Sequence, residues 1–489
     1  MNPIASERST HTPSDHGALP AWEQGDLPAP PSFSASNLLR VIGPGAILLV
    51  GSMGGGEWLV GPAIGVQYGM GLFWVATVSI FLQVICNLES IRYTLYTGEP
   101  IMSGIMRLHP GPRFWAVIYT ALATLQLGIP ALAAGCGSVL FAAFAGHMPE
   151  DSDSGTLLVI SYGVMVATIV VLLLGRTIER TLEWVSWVMI VLIFTFLLVV
   201  NIFFVPASTW ITSAAGFFQF GYIPENVDLV LLGALAATAG AGGMAGLAIS
   251  NWFRDKGFGM GGTVGAIASA FGHQEIKLST IGKVFHINDE NMDRWRIWWK
   301  YVRADQVWLW GLGAAVGMFL NVNLAVGIIP AGTDLSQVGA GAYQAEYLAK
   351  IWSGFWFLAL FNGFWVLFST HLGNTDMLIR TVTDMVWAAS PRARKWCGGN
   401  VRSIYYCALF GFSIWGAFAI NWGNAMDLFK IMANIAGLIL AIAAIQILRV
   451  NTRFLPQELQ PPMWRKAAML LVTVMYGGIF SMVVWTHLG

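Results

Sequence analysis

Long apolar stretches separated by short polar ones follow one another from about residue 38 to the end of the chain. A helix needs about 20 mostly apolar residues to cross a bilayer, and eleven of these stretches are long enough. The predicted spans are residues 38–66, 71–97, 113–143, 155–175, 179–204, 227–256, 305–328, 347–387, 403–422, 425–448 and 464–487. The pattern therefore predicts an all-α polytopic membrane protein.

The first span is interrupted at its centre by three glycines and a carboxylate: Gly54, Gly55, Gly56 and Glu57. Each glycine weakens a helix by about 1 kcal/mol relative to alanine. A carboxylate in the middle of a membrane costs at least about 2.5 kcal/mol. A simple anchor would gain nothing from either feature. We therefore predict a discontinuous helix whose freed backbone groups and Glu57 face a cavity.

The sixth span contains a second interruption of the same kind, which runs from Ala237 through Gly240 and Gly242 to Met244. Spans one to five and six to ten thus form two sets of five, and each set begins with a broken helix. A repeat of five spans places the second set upside down relative to the first. This arrangement is typical of secondary transporters, whose sites lie between the two breaks.

The same pattern divides the chain into segments. Residues 1–36 are rich in Pro, Ser and His, which predicts a disordered cytoplasmic tail. Residues 37–205 form the first five-helix repeat, and residues 206–448 form the second, with a cytoplasmic insert at 255–304. A linker and an eleventh helix occupy residues 449–489. The insert ends in a predicted surface helix, residues 288–303, anchored at the membrane interface by its tryptophans.

Composition and charge placement support this class of protein. The chain is 56% hydrophobic and 11% charged, whereas soluble domains are about 25% charged. Loops 144–154 and 205–226 contain no Lys or Arg, which places them outside and the N-terminus in the cytoplasm. We expect an integral protein of a bacterial inner membrane, with the bilayer and a small inorganic ion as partners and no nucleic acid. The oligomeric state is left open.

Four segments, 43–45, 69–74, 178–183 and 232–234, read GPG, GMGLFW, IERTLE and LGA. These motifs resemble those of the Nramp transporters, which are proton-coupled carriers of divalent manganese and iron. The resemblance implies the LeuT-like fold, a 5+5 inverted repeat with broken helices 1 and 6.

The chain departs from this family at the positions of its ion-binding motifs. Where the family has Asp-Pro-Gly-Asn and Met-Pro-His, this chain has Gly54, Gly55, Gly56 and Glu57, and then Ala237, Thr238 and Ala239. The family's third-helix acids correspond to Gly128 and Ala131. Because a thioether favours soft transition metals, its loss predicts that this is not a typical manganese or iron carrier.

Two interpretations of the candidate site residues stay open. Glu57 is either an ion ligand or a structural carboxylate at a helix N-terminus. The glycines serve either an ion site or close helix packing. The predicted site comprises Gly54, Gly55, Gly56, Glu57, Ala237, Thr238, Gly240, Gly242 and Asn434. Asn434 is included because the family's tenth helix supplies an amide ligand near this position.

The hypothesis that follows is a secondary transporter that moves a small inorganic ion by alternating access. An enzyme is disfavoured because no nucleophile and base occur at a recognisable spacing, and an ion channel is the alternative of another class. Glycine-rich nests favour a small anion such as bicarbonate, with Glu57 holding a coupling ion, Na⁺ or H⁺. A hard divalent cation resembling Mg²⁺ is the alternative substrate. No cofactor is expected.

Overall fold

The computed structural model describes residues 15–174, 178–265, 279, 281–333, 335, 340–396, 398 and 400–488. Within these residues, eleven helices are long and apolar enough to cross a membrane, which confirms the predicted number of spans. The first 14 residues of the predicted tail and most of 266–280 in the insert lie outside the described residues.

The spans follow the predicted order along the chain. Their helical segments are Pro44–Met53, Gly56–Val60 and Gly61–Tyr68; Trp74–Thr97; Pro112–Gln126 and Ala131–Ala145; Ser154–Leu174; Ile178–Phe204; Leu229–Thr238 and Gly243–Asp255; Asp289–Arg303, Ala304–Gly311 and Leu312–Ile328; Gly354–Ala389; Val401–Ala419; Ala425–Phe454; and Met463–Leu488. The segments Gly56–Val60 and Ala304–Gly311 are π-helical.

Shorter elements connect the spans. The α-helices among them are Ala35–Val41, Ile101–Arg107, Ala207–Gly216, Ala340–Ala349 and Pro391–Trp396. The 3₁₀ turns are Met70–Phe73, Asp151–Asp153, Gly259–Thr263, Ile420–Trp422 and Gln457–Leu459. Two short strands, β1 (Glu23–Gly25) and β2 (Lys283–Phe285), pair in parallel, with Gln24 opposite Val284.

Three spans are discontinuous in the part of the chain that the structure describes. The first and the sixth are broken at the glycine runs, as predicted. The third is also broken, between Gln126 and Ala131, where the apolar pattern predicts one helix over residues 113–143. The cause lies in Gly128 and Pro130, because glycine weakens a helix and proline removes a backbone donor.

The predicted surface helix of the insert is the beginning of the seventh span. Asp289–Arg303 continues through the π-helical segment into Leu312–Ile328 without a loop. Trp295 and Trp298 are only 6% and 7% exposed, and their rings pack against Phe285 and Phe258. The prediction of a separate interfacial helix anchored by these indoles is therefore wrong, because the insert itself covers them.

Residues 15–34 form a segment that we call the N-terminal strap. Its strand β1 pairs with β2 in the insert, and Leu27 is fully buried. Trp298 donates to the carbonyl of Pro28 (2.9 Å), and Tyr301 donates to that of Ser32 (2.8 Å). The prediction of disorder is wrong for these residues, because partners distant in sequence supply the contacts that the composition lacks.

Arg107 ties the strap to the loop after the second span. Its guanidinium donates to the carbonyls of His16 and Pro20, each at 2.8 Å, and lies over the Trp22 ring at 4.1 Å. It also pairs with Glu99 at 2.5 Å. Burial would raise the pKa of Glu99, but the Arg107 charge and its hydrogen bonds outweigh burial and hold that pKa below its ordinary value. We call the side of the molecule that carries the strap the N-terminal face.

A buried ion network joins the sixth and eighth spans near this face. Arg254 binds Asp255 and Asp384, each at 2.7 Å. Arg380 binds Asp376 at 3.1 Å and also contacts Asp255. All five side chains are at most 5% exposed. Because buried ion pairs depend on precise geometry, this network fixes the second half of the sixth span against the eighth helix.

Candidate functional site at two helix breaks

The first break is held open by a hydroxyl from the eighth span. The helix ends at Met53, and the freed N–H of Gly54 donates to the side-chain oxygen of Thr370 at 2.8 Å. The same oxygen lies 2.8 Å from the carbonyl oxygen of Val50. Thr370 therefore satisfies polar groups that the broken helix leaves unpaired.

Glycine is required where the two breaks meet. A Cβ atom added to Gly56 would lie 2.0 Å from the carbonyl oxygen of Thr238. A Cβ atom on Gly55 would lie 2.6 Å from the ring of Phe429. Only glycine allows the backbones of the first and sixth spans to approach this closely. The glycines thus serve close packing at the proposed site, so the two interpretations of these residues are compatible.

The second break has a backbone that only glycine adopts readily. Gly240, Gly242 and Gly243 have φ values of +108°, +68° and +48°, which lie in the left-handed region that other residues avoid. The first half of the span ends at Thr238, and the second half begins at Gly243.

Gln83, in the second span, forms hydrogen bonds with backbone groups on both sides of this second break. Its amide nitrogen donates to the carbonyl of Ala239 (3.1 Å), and its amide oxygen accepts from the N–H of Gly242 (2.9 Å). The nitrogen also lies 3.1 Å from the hydroxyl oxygen of Tyr476, in the eleventh span. Gln83 is only 2% exposed, so water does not replace these bonds.

Gln126, at the end of the first half of the third span, caps the second half of the sixth. Its oxygen accepts from the N–H of Met244 at 2.8 Å. The sequence reading missed both glutamines. An amide in the middle of an apolar span was the available signal, because a buried amide needs hydrogen-bond partners.

Glu57 lies beside this junction. It is fully buried in the π-helical turn after the first break. Both carboxylate oxygens lack a hydrogen-bond partner among the described residues. The peptide groups of Glu57 itself and of Gly240 are near enough to interact with the carboxylate, but neither makes an aligned hydrogen bond. The structure therefore brings together a buried, unpaired carboxylate and the backbones of both breaks.

The other predicted site residues differ in their placement. Thr238 lies at the junction, but its hydroxyl donates to the carbonyl of Ala234 in its own helix at 2.6 Å. The Asn434 amide donates to the carbonyls of Val230 (3.1 Å) and Lys430 (2.9 Å), before the second break.

The tenth span contacts the second break through small residues. A Cβ on Gly242 would lie 3.4 Å from the Cβ of Ala436, and one on Gly437 would lie 3.6 Å from the Cβ of Ala237. Ala436 and Gly437, rather than Asn434, therefore carry the contact of this span with the break. The described residues contain no group of three or more His, Cys, Asp or Glu side chains that could hold a metal ion.

Known structures share this architecture. No family model matches the chain, and no curated protein matches its sequence. A histidine-to-alanine variant of the Eremococcus coleocola manganese transporter is 16% identical, with a TM-score of 0.61 over 94% of this chain and 88% of that one. Its complex with an aromatic bis-isothiourea compound is 16% identical, with a TM-score of 0.59 over 96% and 90%. A glutamate-to-glutamine variant is 15% identical, with a TM-score of 0.60 over 94% and 88%.

The likeness defines the class of fold. The chain has the all-helical architecture of a membrane transporter, with broken first and sixth spans, so the predicted fold class is confirmed. More particularly, it has the Nramp-type fold of that manganese transporter. At 16% identity, the likeness concerns the fold alone. The ion must therefore be inferred from the chemistry of the site.

Proposed function

We propose that this chain is a secondary transporter that carries a small, hard inorganic cation by alternating access between the two breaks, with Glu57 as the charged ligand. The bilayer is its setting, and we place the N-terminal face on the cytoplasmic side of a bacterial inner membrane. The coupling ion and the oligomeric state are not part of this proposal.

One observation carries the proposal, namely the buried, unpaired carboxylate of Glu57. An isolated ionised carboxylate is very costly to bury, so it must acquire a proton or a cation. Intramembrane acids without a structural partner mark ion pathways. Glu57 lies where two broken helices meet, and such sites in transporters bind cations through unwound backbone carbonyls.

The two glutamines weaken the case for the anion that the sequence favoured. An anion such as bicarbonate would bind to freed N–H groups at the start of the second half-helix. The N–H groups of Gly242 and Met244 already donate to Gln83 and Gln126. Oxygen acceptors within the protein thus occupy the donors that an anion would need, whereas the Glu57 oxygens are unoccupied.

The donor set favours a hard cation over a soft one. Carboxylate and carbonyl oxygens suit sodium- and magnesium-like ions. The structural neighbours are described as manganese transporters, but the family's Met and His positions are Ala237 and Ala239 in this chain. One carboxylate neutralises a monovalent cation fully, so Na⁺ is the first ion to test and Mg²⁺ the second.

Burial of the site supports a carrier over a channel. Glu57 and the adjoining glycines are shielded from solvent in this conformation. A channel needs a continuous path for its ion, whereas a carrier alternately opens one side and then the other. Access to Glu57 therefore requires movement of the half-helices.

A flux screen in proteoliposomes tests the proposal. Na⁺, Mg²⁺, Mn²⁺ and bicarbonate are compared for the wild type, Glu57→Gln and the control Glu225→Gln, whose carboxylate is exposed in a loop. We expect the wild type to show saturable flux of a hard cation. In Glu57→Gln this flux should fall by at least about tenfold, because a buried charge pair loses one partner. In the control variant the flux should not change. Cation-independent bicarbonate flux, or full cation flux in Glu57→Gln, would contradict the proposal.

A further inference from the structure

A small cavity lies at the break in the third span, apart from the junction that contains Glu57. The third, fourth, eighth and ninth spans enclose it, and its polar lining comprises the backbone at Gly128 and the side chains of Thr168, His371, Thr375 and Ser413. About 30 Å³ is open to the centres of water molecules. Since one water needs about 10–15 Å³ by that measure, about two waters fit.

The break provides carbonyl oxygens without partners. The carbonyls of Leu127, Gly128 and Ile129 receive no hydrogen bond from the described residues. Pro130, which has no N–H, contributes to this gap. The carbonyls also follow the C-terminal end of the helix Pro112–Gln126, where the helix dipole favours a positive charge by about 0.3–1 kcal/mol.

The hydroxyls around the cavity are acceptors as well. Thr168 donates to the carbonyl of Val164 (3.0 Å), Thr375 to that of His371 (2.8 Å), and Ser413 to that of Leu409 (2.7 Å). Each hydroxyl therefore uses its proton within its own helix and keeps only lone pairs for the cavity. The cavity walls are rich in acceptors. The imidazole of His371 is the lining side chain that can supply donors, and the indole N–H of Trp415, which has no partner among the described residues, lies beside Gly128.

Among the described residues that line the cavity, His371 is the one titratable group, because the lining residues from the third, fourth and ninth spans are not titratable. On the eighth helix itself, Asp376 is engaged by Arg380 and accepts from Tyr405 at 2.9 Å. Thr370 and Gly373 lie on the face of the eighth helix that contacts the first span, which carries Glu57. Helical spacing places His371 away from this face.

We propose that this cavity is a proton-binding site in which His371 is the proton acceptor. The free ring nitrogen takes a proton from hydronium and releases water, so charge and atoms balance. Both ring N–H groups of the imidazolium then donate, to water and to the freed carbonyl oxygens, whereas the neutral ring offers one donor. A cavity whose walls carry acceptors is matched to the protonated form.

The position of His371 connects the proton to ion transport. His371 follows Thr370, whose hydroxyl holds the first break, and a Cβ on Gly373 would lie 3.2 Å from the Cα of Gly51 in the first span. A shift of the eighth helix that hydrates the imidazole therefore also disturbs the closed first break. This role for the proton as coupling ion rests on the proposed transport function, whereas proton binding by His371 does not.

The first experiment measures proton binding directly in the full-length protein. Histidine-labelled protein in nanodiscs is titrated by NMR between about pH 3 and 8, a range wider than the one in which imidazole ordinarily changes charge, for the wild type and His371→Gln. We expect one titrating ring signal that is absent from His371→Gln. If every titrating signal persists in that variant, the proton site is overturned, whether or not the protein transports ions.

The second experiment measures coupling in proteoliposomes that contain a pH-sensitive dye, with Na⁺ and Mg²⁺ as the ions tested. We expect His371→Gln to lose the acceleration by a pH gradient by at least about fivefold, a typical size for a coupling. Cation exchange at equal pH on both sides shows whether the variant is folded and active. The matched control His147→Gln, at an exposed histidine outside the cavity, should keep the acceleration. An undiminished gradient response in His371→Gln would overturn the coupling role. Absence of cation flux in the wild type would instead defeat the proposed function.

Discussion

Replacing Gln83 by leucine tests whether a side chain from the second span holds the sixth-span break in place. Leucine has a similar size but neither donates nor accepts. The substitution removes the bond to the carbonyl of Ala239 (3.1 Å) and the bond from the N–H of Gly242 (2.9 Å). Gln83 is 2% exposed, so both backbone groups would be left buried without partners.

The size of the effect follows from these two groups. A buried polar group left unpaired costs about 1–3 kcal/mol, so Gln83→Leu should destabilise the protein by about 2–6 kcal/mol. Gln126→Leu removes one comparably short bond, to the N–H of Met244 at 2.8 Å, and should cost about 1–3 kcal/mol. The predicted order of stability is therefore wild type, then Gln126→Leu, then Gln83→Leu.

Thermal unfolding of the purified proteins in the same detergent measures this order. Gln67→Leu is the matched control, because Gln67 is exposed at the end of the first span and its loss leaves no buried group unpaired. Gln83→Leu should also reduce cation flux, since the break would lose its fixed shape. Wild-type melting temperature and flux in Gln83→Leu would refute the idea that this amide maintains the break.

Four further predictions follow from the packing, the site chemistry and the charges. Gly56→Ala should destabilise the protein by about 1–3 kcal/mol through overpacking, whereas Gly163→Ala, where a Cβ meets nothing within 4 Å, should not lower its melting temperature, because alanine favours a helix over glycine. Saturable manganese uptake should be weak or absent in proteoliposomes, because Ala237 and Ala239 stand where the family has a thioether and an imidazole ligand; robust micromolar uptake would contradict this interpretation of the site. The pKa of Glu99 is lowered from 4.5, so the stabilisation that Glu99 gives to the strap is complete above pH 4.5 and is lost as the pH falls through the lower folded-state pKa. Proteolysis of the strap should therefore accelerate only at a pH below 4.5. Equal protection of the strap at all pH values would contradict this. Single cysteines in loops 144–154 and 255–304 should label from opposite sides of the membrane, and labelling from one side would refute the topology.

The breaks in the first and sixth spans were predictable because their signals are local. Consecutive glycines and a carboxylate within an apolar stretch have no use in a simple anchor, whatever the rest of the chain does. The number of spans was predictable for the same reason, since apolar length alone determines it. The break in the third span has a local signal of the same kind, Gly128 and Pro130. The apolar stretch continues across these residues, however, so its length alone predicts one helix.

The partners of the breaks were not predictable, because they come from distant parts of the chain. Gln83 and Gln126 act on residues 159 and 118 positions away, and no local pattern reveals such pairings. Asn434 was predicted to belong to the site because of its position in the tenth span. Its amide instead donates to the carbonyls of Val230 and Lys430. The order of the N-terminal strap likewise depends on Trp298 and Tyr301, which lie 270 and 269 residues after their partners, so a composition typical of disorder did not determine its structure.

Equilibrium binding of a hard cation to the purified protein tests the central claim most directly, because binding does not depend on the transport cycle. Titration calorimetry with Na⁺ and then Mg²⁺ is compared for the wild type and Glu57→Gln, a substitution that removes the charge and nearly preserves the volume. Our account predicts saturable binding of at least one of these ions at one site per chain in the wild type, and no binding in Glu57→Gln. The melting temperature of Glu57→Gln should remain close to that of the wild type, because the carboxylate has no hydrogen-bond partner among the described residues. Equal cation binding by the two proteins would contradict the claim that Glu57 is the charged ligand.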